Sequence, residues 1–247
     1  MSQEFDRITI QEEEPVTLQI AAICNTGWAL ASDRMERLDD RTGTLTDKIF
    51  TDADAGVTYA TCGNSAVAKL TGYAMLAALK NKSLPGPRFM RERRLCEIAN
   101  DAWQQAFDTT TIRPPDADRS EQGLTIFFHD DPTIGWALFI GKNWSVAESI
   151  LDKRTRADRT NPAVFFFEKY YRAELSPLPL GYLAAHTICI APFFNKTGIG
   201  GLDVTVCEQQ PDGTYAISPL SRSQLRELVN QSVELDNYLW EHFGSNE

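Results

Sequence analysis

Residues that commonly hold metal ions are scarce in this chain of 247 residues. Its three histidines lie far apart, and its five cysteines include no Cys-x-x-Cys pair. An odd number of widely spaced cysteines in mostly apolar surroundings favours small buried thiols in a reducing compartment over disulfides or zinc ligands. The sequence therefore contains no motif for a metal site.

Positive charge is in deficit, with 24 lysines and arginines against 34 aspartates and glutamates and a net charge of −10. Binding to nucleic-acid phosphates needs clustered lysine and arginine. The one basic stretch, residues 88–94, mixes arginine with apolar residues, which is more typical of a solvated helix face. We therefore expect no nucleic-acid partner.

Long hydrophobic runs are lacking as well. Apolar runs such as residues 20–24 and 163–167 are five residues long, whereas a transmembrane helix needs about 20. Residues 1–16 are acidic and do not contain the apolar stretch of a signal peptide. We expect a cytoplasmic protein without a membrane partner.

The length and composition fit a globular chain with a full core. The content of hydrophobic residues is 43% and that of charged residues is 23%, as in ordinary globular proteins. No linker rich in glycine, serine or proline divides the chain, and no internal repeat is visible. We interpret residues 1–16 as an N-terminal arm or propeptide and residues 17–247 as a single domain.

The order of predicted elements indicates the fold class. Apolar residues spaced three and four apart predict helices at 64–82, 88–107, 161–174, 179–191 and 221–243. Shorter apolar or alternating segments predict strands at 16–24, 28–32, 48–50, 57–61, 123–129, 133–140, 143–150, 202–208 and 214–218. This order predicts an α+β fold, a four-layer α-β-β-α sandwich of two antiparallel sheets flanked by helix pairs.

Thr17 begins the first predicted strand and is followed along the chain by Asp33, Lys48 and Gly63. A threonine hydroxyl can act as a nucleophile, and a backbone N–H at the start of a helix can stabilise an oxyanion. In this interpretation Lys48 lowers the proton affinity of the Thr17 hydroxyl, Asp33 holds Lys48, and the Gly63 N–H receives the oxyanion. Such threonine chemistry needs a free N-terminal amine as its base, whereas 16 residues precede Thr17.

Four stretches of sequence are informative through their order and spacing: TLQIAAICNTGWALASDR at 17–34, DKIF at 47–50, ATCG at 60–63 and GGLDV at 200–204. In this order and at this spacing they resemble the proteasome β-subunit family of the N-terminal-nucleophile hydrolases. The resemblance covers roughly residues 16–220 and implies the same four-layer fold.

The resemblance also implies an activity, that of a threonine-type peptidase whose mature chain begins at Thr17 after self-cleavage removes residues 1–16. The freed α-amine, with a reference pKa of about 7.7–8.0, would accept the hydroxyl proton. An acyl-enzyme on Thr17 would follow, with a peptide or unfolded-protein substrate. A ring-shaped homo-oligomer is implied, and no cofactor is needed.

Four other positions depart from the family pattern. Asn195 and Gly198 replace an aspartate and a serine that help to orient the threonine amine, and Lys142 replaces another serine. Asn195 still supplies an amide oxygen, so the resemblance implies it as a further site residue. Val16 stands where the family has glycine, and its β-branched side chain would crowd the hydroxyl during self-cleavage.

Two alternatives therefore remain open at the level of sequence. The departures from the pattern favour a noncatalytic proteasome-like subunit with a structural, assembly or binding role, in which Thr17 only begins a strand and Gly63 only makes a tight turn. A small-molecule amidase would share the nucleophile and differ in its substrate pocket.

Overall fold

The structure is a computed structural model, and it describes residues 17–37, 43–63, 65–80, 84, 86–109, 122–141, 144–156, 161–194 and 199–243. Twelve strands and five helices lie in these residues. In chain order they are β1 (Gln19–Cys24), β2 (Gly27–Ser32), β3 (Met35–Arg37), β4 (Gly43–Leu45), β5 (Ile49–Asp52), β6 (Val57–Cys62), α1 (Ser65–Leu79), α2 (Arg88–Thr109), β7 (Gln122–Phe128), β8 (Asp131–Gly141), β9 (Trp144–Ile150), β10 (Lys153–Arg156), α3 (Ala163–Tyr170), α4 (Pro177–Phe194), β11 (Asp203–Gln209), β12 (Tyr215–Pro219) and α5 (Arg222–Phe243).

The strands form two five-stranded antiparallel sheets. Sheet I has the order β10-β1-β2-β11-β12, and sheet II has the order β5-β6-β7-β8-β9. The short strands β3 and β4 pair with each other beside them. Successive side chains of a strand point to opposite faces of the sheet, so apolar residues on both faces must be covered. The two sheets cover each other's inner faces by stacking face to face.

Helices cover the outer faces of both sheets. The outer face of sheet I shares one apolar cluster with α3 and α4, and α5 packs onto α4. The outer face of sheet II shares a second cluster with α1 and α2. The predicted α-β-β-α sandwich of two antiparallel sheets is thus confirmed. One of its helix layers, that over sheet I, contains a third helix in addition to the expected pair.

A third apolar cluster fills the layer between the sheets. Its largest contact is the stacked pair Trp28 of sheet I and Phe127 of sheet II, with ring centroids 4.5 Å apart and both side chains fully buried. Gly135 on the neighbouring strand makes room for Phe127, since a Cβ atom there would lie 2.6 Å from the ring. This contact is part of the apolar packing that holds the two sheets together.

Some elements differ from the sequence prediction. The strands β3, β4 and β10 were not expected, because they are short and carry polar or charged residues without clear alternation. Helix α4 begins at Pro177, two residues before the start at 179 that the sequence predicts. The first turn of a helix tolerates proline, since its N–H groups have no partner within the helix.

Among the described residues, one helix, α4, is long and apolar enough to cross a membrane. Its buried side chains, which include Leu180, Ala184 and Ile188, belong to the cluster that covers sheet I. Its apolar character is therefore explained by its position between sheet I and α5.

We expect the Phe127→Ala variant to lose about 3–5 kcal/mol of unfolding free energy, because it empties the layer between the sheets. The matched control is Phe165→Ala on α3, whose phenylalanine is 72% exposed and whose loss should change stability by no more than about 0.5 kcal/mol. Urea unfolding measures both values. Equal effects of the two substitutions would contradict the assigned position of the inter-sheet core.

Candidate functional site

Thr17 lies immediately before β1 and is half-buried. Leu18 and Ile20 pack towards the helices, whereas Ala21 and Ile23 face the other sheet. Because side chains alternate along a strand, Thr17 lies on the face of β1 that is turned towards sheet II. The hydroxyl of Thr17 can therefore meet groups from both sheets.

Asp33 follows β2 and is completely buried beside Thr17. Its backbone N–H donates to the Leu18 carbonyl at 3.0 Å, which extends the pairing of β1 with β2. In return, the Leu18 N–H donates to Asp33 Oδ1 at 2.9 Å, and the Met35 N–H donates to Oδ2 at 3.0 Å. The carboxylate is thereby held in one orientation.

Lys48 precedes β5 and brings a cation from sheet II to this carboxylate. Its Nζ atom lies 2.9 Å from Asp33 Oδ2 and 3.4 Å from Thr17 Oγ1, and both contacts are hydrogen bonds that Lys48 donates. The Lys48 side chain is 8% exposed and that of Asp33 is 0% exposed. The three sequence-predicted residues Thr17, Asp33 and Lys48 are therefore brought together.

The electrostatics of the site follow from this burial. Burial raises the pKa of the Asp33 carboxyl, while the Lys48 ammonium and the N–H groups of Leu18 and Met35 oppose the rise. An ammonium that donates to a hydroxyl favours loss of the hydroxyl proton, and it does so more strongly in a poorly solvated place than in water. Lys48 is thus positioned to stabilise a Thr17 alkoxide.

Gly63 lies between β6 and α1 with φ of 100°, a conformation that glycine adopts far more readily than other residues. Two residues earlier, the Thr61 N–H donates to the Lys48 carbonyl at 2.9 Å. This bond ties the segment that leads to Gly63 to Lys48. The start of α1 carries the positive end of the helix dipole, which favours negative charge near Gly63.

A second polar network, which the sequence analysis did not identify, supports Lys48. Arg34 donates to Asp47 at 2.6 Å and contacts Asp203 Oδ2 at 3.4 Å through its Nε atom. The carboxylate of Asp203 accepts the backbone N–H of Lys48, and burial raises the pKa of Asp203. The signal in the sequence is the GGLDV stretch at 200–204, which contains Asp203.

The remaining candidate positions lie outside the described residues. They are Lys142, Asn195 and Gly198, together with Val16 at the predicted cleavage point. Their roles stay predictions. In the parts of the chain that the structure describes, no group of three or more His, Cys, Asp or Glu residues could hold a metal ion.

Two surface cavities lie away from Thr17. The larger, of about 570 Å³, runs along β5 beside Tyr59 and Tyr73, and the other, of about 340 Å³, lies next to His129 and Arg91. Neither is lined by Thr17, Asp33 or Lys48. The candidate site is thus defined by its polar contacts and not by either of these cavities.

Several solved structures share this fold, among them structures of Anbu from three bacteria. Anbu from Hyphomicrobium sp. strain MC1 aligns with a TM-score of 0.61 and 11% identity, over 93% of this chain and 98% of that one. Anbu (ancestral beta-subunit) from Yersinia bercovieri has a TM-score of 0.61 and 8% identity, over 93% and 99%. The helical assembly of the Anbu complex from Pseudomonas aeruginosa gives 0.63 and 11%, over 93% and 98%.

These comparisons correct the resemblance that was drawn from the sequence. No family model matches the chain, and no curated protein matches it. The assignment to the proteasome β-subunit family is wrong, since the similar structures are Anbu proteins. What the likeness shows is the fold, which is proteasome-like. The motifs were not specific for one family, because turn glycines and strand-end aspartates occur in many proteins.

We expect the Lys48→Met variant to lose about 3–5 kcal/mol of unfolding free energy at neutral pH, because it leaves the Asp33 carboxylate buried without its cation. Burial raises the pKa of Asp33, and loss of Lys48 removes a group that opposes the rise. The native variant then binds a proton that the unfolded chain releases, so its stability falls as the pH rises through the raised pKa.

Urea unfolding of the Lys48→Met variant between pH 5 and pH 8 measures this loss. The matched control is the double variant Asp33→Asn/Lys48→Met, which carries no buried charge and should recover part of the stability without the same pH dependence. A single variant as stable as the wild type at pH 8 would show that the ion pair does not form.

Proposed function

We propose that the chain is a threonine-type N-terminal-nucleophile hydrolase that cleaves amide bonds of peptides, with Thr17 as the nucleophile after cleavage of the Val16–Thr17 bond. The observation that carries the proposal is the position of Lys48 Nζ, within hydrogen-bond distance of both Thr17 Oγ1 and Asp33 Oδ2. A buried cation on the hydroxyl of a residue that would become N-terminal supplies what an activated threonine requires.

The proposed reaction begins with attack of Thr17 Oγ on the substrate carbonyl carbon, while the freed α-amine of Thr17 takes the hydroxyl proton. Lys48 stabilises the developing negative charge on Oγ, and Asp33 holds Lys48 in place. The Gly63 N–H donates to the oxyanion of the tetrahedral intermediate. The C–N bond then breaks, the leaving amine takes the proton, and water hydrolyses the ester on Thr17.

A noncatalytic role is the second candidate, and specific residues favour it. Asn195 lacks the charge of an aspartate, Gly198 has no hydroxyl, and Val16 crowds the bond that self-cleavage must break. In this case Lys48 and Asp33 would be a structural ion pair, and the protein would act through assembly or binding.

The mass of the intact purified chain distinguishes the two candidates. We expect the wild type to lose residues 1–16 and to begin at Thr17, because the Thr17 hydroxyl, assisted by Lys48, would attack the preceding carbonyl and so free the α-amine that the substrate reaction needs. The Thr17→Ala variant should retain residues 1–16. Thr51→Ala, at an exposed position of β5, is the matched control and should be processed like the wild type.

The outcome that contradicts the hydrolase is a wild-type chain that keeps residues 2–16. Processing of Thr17→Ala at the wild-type rate would also contradict it, because another protease would then make the cut. In either case the noncatalytic role becomes the better explanation of the ion pair.

We also propose that the protein self-associates. The support is the structure from Pseudomonas aeruginosa that shares the fold and is described as a helical assembly. Sedimentation velocity should show species several times heavier than the 27.7 kDa chain, with a fraction that grows as the concentration rises. A single monomeric species over a 100-fold range of concentration would contradict self-association.

A further inference from the structure

Two side chains of sheet I bind the end of sheet II at which Lys48 precedes β5. In the pairing of β5 with β6, Ile49 lies opposite Ala60, so Lys48 and Thr61 are the next opposed residues. The Thr61 N–H donates to the Lys48 carbonyl at 2.9 Å. A hydrogen-bonded pair in an antiparallel ladder exchanges two such bonds. The groups available for the second bond are the Lys48 N–H and the Thr61 carbonyl.

Both of these groups bond to sheet I. Gln19 Nε2 donates to the Thr61 carbonyl at 2.6 Å, and the bond is buried. The Lys48 N–H donates to the Asp203 carboxylate. The last pair of the ladder is thus held from the other sheet, through one donor and one acceptor.

The register of sheet I explains how Gln19 and Asp203 act on the same pair. Both residues lie opposite Ser32 of β2, one on each side, so the three residues form one row across the sheet. Asp33 is the residue that follows Ser32. Thr17 precedes Gln19 by two positions and therefore lies on the same face of the sheet. The row adjoins the candidate site.

Packing does not explain a glutamine at this position. Gln19 is 2% exposed, and a buried amide costs free energy unless its polar atoms are bonded. The Thr61 carbonyl can only accept a hydrogen bond, so the nitrogen of the amide must face it. The Oε1 atom is then left buried without a partner. An apolar side chain of similar length would avoid this cost but would leave the Thr61 carbonyl without its donor, so the glutamine serves the hydrogen bond and not the packing.

We propose that Gln19 is a positioning residue for the reaction of Thr17, a step that rests on the proposed function. Thr17 and Gln19 belong to one strand of sheet I, whereas Lys48 and Gly63 belong to the end of sheet II. The bond from Gln19 to the Thr61 carbonyl fixes the distance between these two parts. It keeps Lys48 Nζ within reach of Thr17 Oγ1 and orients the backbone that leads to Gly63.

If Gln19 is a positioning residue, loss of its hydrogen bond should change the geometry of the site more than the stability of the fold. Without the Gln19 bond, Lys48 still pairs with Asp33, and the Trp28–Phe127 contact still holds the sheets together. What changes is the placement of the cation and of the Gly63 N–H relative to the nucleophile. A displacement of about 1 Å between reacting groups can lower a rate by about 100-fold.

The test uses the full-length expressed chain and a β-lactone as the probe. Thr17 Oγ attacks the lactone carbonyl, the ring C–O bond breaks, an ester forms, and the ring oxygen takes the proton, so the protein gains the whole mass of the probe. Intact-mass spectrometry over a range of probe concentrations gives the maximal acylation rate and the half-saturating concentration. Thermal unfolding is measured on the same samples.

The informative variant is Gln19→Met, which keeps the length of the side chain and removes the N–H donor. We expect its maximal acylation rate to fall by about 10- to 100-fold, with the half-saturating concentration unchanged. The control is Phe127→Leu, which loosens the inter-sheet core away from Thr17. It should lower the unfolding temperature and leave the acylation rate near that of the wild type.

A second variant, Gln19→Glu, adds a readout that a merely structural role would not move. Burial raises the pKa of a glutamate placed here, and only its protonated form can donate to the Thr61 carbonyl. The rate of Gln19→Glu relative to the wild type should therefore rise as the pH falls from 8 to 6. The relative rate of Gln19→Met should stay constant over this range.

Three results would overturn the proposal. Equal acylation of the wild type and Gln19→Met would show that the bond does not position the site. Losses of rate in Gln19→Met and Phe127→Leu that follow their unfolding temperatures would assign Gln19 to stability alone. A wild type that the lactone labels no faster than Thr17→Ala would overturn the proposed function and this proposal together, and the first two results leave that function standing.

Discussion

The buried ion pair between Lys48 and Asp33 is the interaction on which the rest of the site depends. Removing two charges from water costs several kcal/mol per ion, in order of magnitude, unless good geometry and further hydrogen bonds offset it. Here the Asp33 carboxylate also accepts the N–H groups of Leu18 and Met35. Because Asp33 lies at the end of a strand in sheet I and Lys48 lies at the edge of sheet II, the pair can form only after the two sheets have stacked. The site therefore exists only in the packed tertiary structure.

The layer between the sheets changes in character towards the site. In its middle it is apolar, with Trp28 stacked on Phe127. At the end near Thr17 it contains the buried polar side chains of Gln19, Asp33 and Lys48. Polar groups in such a place fix the orientation of the two sheets relative to each other, because a hydrogen bond is directional. Apolar contacts stabilise the packing of the sheets but are not directional. One layer thus holds the sheets together at its centre and aligns them at its end.

The sequence was informative about the fold and only partly about the site. Strong apolar periodicity predicted the helices and the long strands, and hence the sandwich, whereas the polar strands β3, β4 and β10 gave no such signal. Thr17, Asp33 and Lys48 could be found because each lies at the start or end of a strand in a recognisable stretch. The contributions of Gln19 and Asp203 depend on the register of three strands around Ser32, and spacing along one chain does not contain that register. The motifs also suggested the wrong family, because their turn glycines and strand-end aspartates are common in proteins.

The second contact of Lys48, that with Thr17, is the feature that favours chemistry at this site. Stability alone is a weak explanation for a buried ion pair, since a protein with apolar residues of similar volume in its place is often as stable. Lys48, however, also reaches the hydroxyl of Thr17, which is half-buried and so open to a molecule arriving from solvent. A cation that is screened from water and bonded to an accessible hydroxyl makes that hydroxyl more acidic than a threonine in water. Likeness of fold at 8–11% identity does not carry this inference, because function resides in the site. The contact between Lys48 and Thr17 does carry it, and the proposed reaction needs in addition the α-amine of Thr17, which only cleavage before Thr17 would create.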